Sequence, residues 1–153
     1  MDAKQCEERS VELFKSGYSC AQAVLAGCGP AFGLDEETAL KLGSGLGAGL
    51  GGLRETCGAV LGMAAVIGLR YGPTSPMDAK TKGAHYKRVR EAISAFEAKY
   101  GTHCCLELLK KASIAKQAGV APEERTKEYY AARPCAAFVR LCARLACEGS
   151  VEA

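Results

Sequence analysis

Nine cysteines stand in this chain of 153 residues, and sulfur is the one chemistry the sequence offers in quantity. A thiolate can serve as nucleophile, redox couple or soft metal ligand, and its surroundings decide which. The nine are Cys6, Cys20, Cys28, Cys57, Cys104, Cys105, Cys135, Cys142 and Cys147. No two are spaced C-x-x-C, which excludes zinc knuckles, thioredoxin-type dithiols and bacterial ferredoxin runs together. "HCC" at 103–105 runs the wrong way for C-x-x-C-H, so no covalent haem is expected. An odd number cannot pair completely, and reducing cytosol keeps thiols free. Any sulfur site must therefore be assembled from distant parts of the chain. Other catalytic chemistry is sparse. Only His85 and His103 are present, with no Ser–His–Asp or H-E-x-x-H constellation, and whether the protein is an enzyme stays open.

Around Cys57 runs "GSGLGAGLGGLRETCGAVLG", residues 43–62, with eight glycines. Gly47, Gly49 and Gly52 satisfy G-x-G-x-x-G, but that fingerprint works only between a strand and a helix. The preceding "DEETALKL" is an acidic helix start, and no Gly-Lys-Ser/Thr follows. A nucleotide is not expected. The glycines read instead as a close-packed or irregular bend over 43–52 that delivers Cys57. Gly58 and Gly62, four apart on one helix face, let another backbone come close.

The elements that must carry the sulfurs read as helices throughout. Val11 and Phe14 share a face of a first amphipathic segment that Gly17 closes. Ser19 and Gln22 form a capping box for the next, and Asp35 caps a third whose first turn carries Glu36 and Glu37. Thr56 is a cap for the apolar stretch from Cys57 to Leu69, a buried central helix ended by Gly72-Pro73. Tyr86, Val89, Ile93, Phe96 and Tyr100 mark a long helix closed by Gly101. Thr102 caps "HCCLELLK", residues 112–124 form a variable connection, and Pro134 sits in the first turn of a last helix. The expected fold is all-α: one domain over 1–153, core about 5–148, a compact bundle of five to seven helices.

On this map Cys20, Cys57, Cys105 and Cys135 each fall in the first turn of a different helix. A helix N-terminus carries free N–H groups and about half a positive charge. It lowers a thiol's pKa and suits the negative charge of a Cys₄-ligated cluster. Cys6, Cys28, Cys142 and Cys147 read as small buried hydrophobes, while Cys104 is ambiguous beside Cys105. His103 reads as a solvated surface residue.

The order "GYSCAQAVL", a glycine-rich stretch with "ETCGAVLG", then "HCCLELL" and "PCAAFV" resembles the C-GCAxxG-C-C family of redox-active proteins, from about Val11 to about Leu145. Its CGAxxG element stands as Cys57-Gly58-Ala59-Val60-Leu61-Gly62. The family's four cysteines carry over to Cys20, Cys57, Cys105 and Cys135, the third because C-x-x-L-L matches at Cys105. Relatives include a domain of split-Soret cytochromes, for which an iron–sulfur centre has been suggested; this chain lacks their haem sites. The five further cysteines depart from the pattern.

The resemblance and the helix starts together imply a [2Fe–2S] or [4Fe–4S] cluster on these four cysteines, used for electron transfer or redox sensing with a redox partner protein. Two alternatives use the same residues: a thiol–disulfide protein, and a structural Cys₄ zinc domain. Net charge is only +3 with both signs interspersed, so no nucleic acid is expected. The longest apolar run is shorter than the about 20 residues of a membrane span, and the charged start lacks a signal peptide's apolar core. A cytoplasmic protein without a membrane partner is expected, and the small-residue face allows a homodimer.

Overall fold

A computed structural model describes residues 1–76, 78–114 and 118–148. The elements in chain order are α1 (Ala3–Lys15), α2 (Cys20–Cys28), a 3₁₀ turn (Gly29–Phe32), α3 (Glu36–Gly43), α4 (Gly58–Tyr71), α5 (Ala79–Tyr100), α6 (Cys105–Lys111), α7 (Lys127–Ala132) and α8 (Cys135–Cys147). The protein is all-α, as the periodicity requires. The one β-type feature among the described residues is an isolated antiparallel bridge, Thr56 to Cys104.

Local caps start several helices where the sequence places them. Ser19 Oγ accepts from Gln22 N–H at 3.2 Å while Gln22 returns a carbonyl oxygen to Ser19 N–H, a complete capping box. Asp35 accepts from Thr38 N–H at 2.9 Å and so starts α3. Gly101, with φ +85°, ends α5. α7 has no counterpart in the sequence reading; Thr126 caps it by accepting from Tyr129 N–H.

The core forms where α2 and α4 cross and α1 and α8 close over them. Val24, Val60, Met63, Val66, Ile67, Phe96 and Val139 are fully buried. α4 is the central apolar helix, with Gly58, Ala59, Val60, Gly62, Met63, Val66 and Ile67 buried. A side chain at Gly58 would put its Cβ 2.5 Å from Cys20 Sγ and 3.0 Å from the Leu46 carbonyl oxygen. At Gly62 it would meet Ala21 O and Val24 Cβ at 3.0 Å. Bare glycine is what lets α4 lie against α2 this closely.

Between α3 and α4 the chain abandons regular structure. Ala48, Gly49, Leu50, Gly51, Gly52 and Arg54 all have left-handed φ, from +51° to +78°. Three of these are not glycines, at a cost of roughly 1–2 kcal/mol each. The bend expected over 43–52 is real, extends to Arg54, and leads straight into Cys57. No described helix is long and apolar enough to cross a membrane.

Candidate functional site

Two helix starts differ from their sequence reading. Thr56 does not cap α4: Cys57 itself is the N-cap, one position before the first turn. Thr102 does not cap α6 either, because Cys104 holds that position and Cys105 is the first helical residue. Thr102 Oγ1 instead accepts from Cys104 N–H at 3.1 Å and donates to Glu107. The cause is tertiary. The 54–57 and 103–106 segments pair through Cys57 N–H to His103 O at 2.7 Å, Cys105 N–H to Glu55 O at 2.6 Å, and Leu106 N–H to Arg54 O at 3.2 Å. Backbone pairing between segments, not a side-chain cap, decides where these two helices begin. Pro134 is likewise the N-cap of α8, so Cys135 is its first residue, as Cys20 is of α2.

Cys20, Cys57, Cys105 and Cys135 all line one cavity of about 270 Å³, far above the about 10–15 Å³ that admits a water. Cys104, next to Cys105, points elsewhere and donates its S–H to Arg54 O at 3.6 Å. Cys20 and Cys57 are hydrogen-bonded to each other. That bond draws the Cys20 thiol down to about 6; burial opposes it, and the backbones of Ala48, Ala21 and Ala59 assist. The same contact, with burial, pushes Cys57 well above its ordinary value. Burial raises Cys105, partly offset by the Arg54 guanidinium, whose Nη1 donates to its sulfur at 3.7 Å. Burial also pushes Cys135 up to about 12.

The cavity wall is cationic. Arg54, Arg125 and Arg133 line it, with Glu123 as the acidic neighbour that pairs with Arg133. Arg54 Nε and Arg125 Nη1 are buried without a hydrogen-bond partner among the described residues. Arg125 lies over the rings of Phe14, Tyr129 and Tyr130. A buried donor left unmet costs free energy.

A second group of cysteines escaped the sequence reading. Cys6, Cys28 and Cys147, expected as separate core hydrophobes, bring their sulfurs within 4.8 Å of one another. A partial signal existed: the short 16–19 connection makes α1 and α2 an antiparallel hairpin, setting Cys6 near the start of one opposite Cys28 at the end of the other. Cys142 alone keeps the expected role, fully buried with its thiol pushed up by burial. His103 is part-exposed, with Nδ1 3.1 Å from Glu97 Oε2.

The family pattern described as "Putative redox-active protein (C_GCAxxG_C_C)" matches residues 18–148. The chain belongs to that family. Cys20, Cys57, Cys105 and Cys135, which line the cavity, all lie within the matched region of this C_GCAxxG_C_C protein. No curated protein and no solved structure matches the chain significantly.

Proposed function

We propose that this C_GCAxxG_C_C protein is a cytoplasmic redox protein that holds an iron–sulfur cluster, [2Fe–2S] or [4Fe–4S], on Cys20, Cys57, Cys105 and Cys135. The carrying observation is a single cavity lined by four cysteines from four helix starts and by the arginines Arg54, Arg125 and Arg133. Helix starts and arginines both favour an anionic occupant, and a cluster with four thiolates is anionic. When bound, such a group supplies one-electron transfer. The protein's own part is to hold the thiolates, exclude water and set the surrounding charge. A lone zinc ion fits less well. Tetrahedral zinc with Zn–S bonds of about 2.3 Å needs sulfurs about 3.8 Å apart, and no three of these four come within 4.8 Å of one another. A redox partner protein would approach over the glycine-rich loop, where Leu50 and Leu53 are exposed beside the cavity.

One observation favours a second reading. Cys57 draws the Cys20 thiol down while its own is pushed up, an asymmetry that suits one sulfur to attack and the other to resolve. Cys20 thiolate could attack an external disulfide and release one thiol. Cys57 would then displace the second, leaving a Cys20–Cys57 disulfide. Anaerobic reconstitution with ferrous iron and sulfide separates the two. A broad visible band bleached by dithionite, absent in Cys105→Ser and Cys135→Ser, is expected. Colourless, iron-free protein that still reduces a small disulfide, and loses this activity in Cys20→Ser and Cys57→Ser but not in Cys105→Ser or Cys135→Ser, would replace the cluster with the dithiol.

A further inference from the structure

The Cys6, Cys28 and Cys147 sulfurs belong to the three helices that pack most closely at one side of the bundle. Cys6 lies in the first turn of α1, Cys28 is the last residue of α2, and Cys147 is the last residue of α8. α1 packs on both of the others, and a clamp beside the sulfurs fixes it to α8. Arg144 Nε donates to Glu7 Oε1 at 2.6 Å and Nη2 to Oε2 at 3.3 Å, with Arg140 3.7 Å away. The triangle is thus held by rigid elements, not by a loop.

We propose that Cys6, Cys28 and Cys147 form a separate binding site for one thiophilic d¹⁰ metal ion. Three sulfurs around a single ion at about 2.3 Å stand about 4 Å apart, and these three already lie within 4.8 Å of one another. No imidazole or carboxylate belongs to the group, and all-sulfur sets select soft ions such as monovalent copper and zinc. The Cys28 sulfur is hydrogen-bonded to the Ser10 hydroxyl at 3.7 Å and donates to the Ala143 carbonyl at 3.9 Å. Monovalent copper needs only the three sulfurs, whereas zinc would add a fourth ligand, for which Ser10 is placed. Cys28 and Cys147 sit at carbonyl-terminated helix ends, which oppose free thiolate charge and favour an arriving cation. Cys6 and Cys28 are closed off and Cys147 is part-exposed, which makes Cys147 the point of entry. On binding, each thiol gives its proton to solvent as its sulfur takes the ion; no electron moves.

The site shares no residue with the four-cysteine cavity, so neither proposal depends on the other. The test titrates reduced, metal-free full-length protein with monovalent copper, and separately with zinc, against a chromophoric chelator. Binding is counted for the unaltered chain, for Cys147→Ser and for Cys6→Ala. With at least one of the two ions, the unaltered chain should hold one more chelator-resistant equivalent than Cys147→Ser. X-ray absorption of that equivalent should show three sulfurs, alone for copper or with one oxygen for zinc. Because Cys147 is part-exposed at a helix end, Cys147→Ser should keep its helical circular dichroism even where Cys6→Ala does not fold. Equal stoichiometry in the unaltered chain and Cys147→Ser for both ions, or a shell with fewer than three sulfurs, overturns the proposal.

Discussion

Two of the three sulfurs in the Cys6–Cys28–Cys147 group sit at the opposite kind of helix end from the cavity cysteines. Three of the cavity cysteines are first residues of helices and the fourth is an N-cap, whereas Cys28 and Cys147 are last residues and only Cys6 lies in a first turn. The cavity group adds arginines to its positive helix starts; the trio has a serine hydroxyl and a carbonyl for neighbours. One residue type thus meets two electrostatic environments. On the two proposals, the cavity would take a bulky anion and the trio a small cation. Position on the helix separates Cys28 and Cys147 from the cavity group more sharply than burial does.

The largest effect should come from removing a cavity sulfur. Cys135→Ser should lose nearly all iron after reconstitution, while Cys147→Ser should retain it, as read by iron and sulfide per chain. Equal losses would erase the distinction between the groups. Next in size, Gly58→Leu should destabilise the fold by about 1–3 kcal/mol through overpacking, because its first side-chain atom falls on Cys20 Sγ. Chemical denaturation measures this, and an unchanged midpoint would mean that α2 and α4 have room to part.

A finer contrast lies in pH. In metal-free protein a thiol lowered to about 6 is already thiolate near neutrality. Alkylation of Cys20 by iodoacetamide, mapped by mass spectrometry, should therefore rise through pH about 6 and level off by pH about 7. Cys105, raised by burial, should still be gaining rate well above that. Parallel profiles would remove the Cys20–Cys57 hydrogen bond from the picture. The smallest effect belongs to Asp35→Ala, which takes away the α3 cap. The Asp35 carboxyl is held below its usual range by Thr38, so its contribution is present above its unfolded pKa and fades as pH falls through the lower folded one. A slightly lower thermal midpoint at neutral pH, with the difference shrinking in acid and both sulfur groups unaltered, is the expected result.

The all-α class, the caps at Ser19 and Asp35 and the central apolar helix were legible because their causes are local. A cap is a side chain reaching three residues along its own chain, and a buried helix shows its run of apolar residues. Thr56 and Thr102 misled because both resemble caps, while the real helix starts are set by pairing between segments nearly fifty residues apart. The bend at 43–52 was visible in its glycines, but Ala48, Leu50 and Arg54 gave no sign of left-handed backbone. Of the cavity, the four cysteines could be named from their spacing and family resemblance; Arg54, Arg125 and Arg133 could not. The trio was hidden for a related reason. Its members are scattered in sequence, each looks like an ordinary buried cysteine, and only the packing of α1, α2 and α8 brings them together.

The Thr56–Cys104 bridge also bears on the order in which the molecule can be completed. Contacts between distant segments form late, because the intervening chain must first be brought back on itself. Here that intervening chain is itself two helices, α4 and α5, which can form while the ends are still apart. During synthesis Cys20 and Cys57 emerge early, but the wall that carries Cys105 cannot dock until α5 is out, and Cys135 follows later still. A nascent chain therefore displays half of the sulfur set for much of its elongation. Any occupant that needs all four sulfurs would have to wait for closure of the helices that carry Cys105 and Cys135.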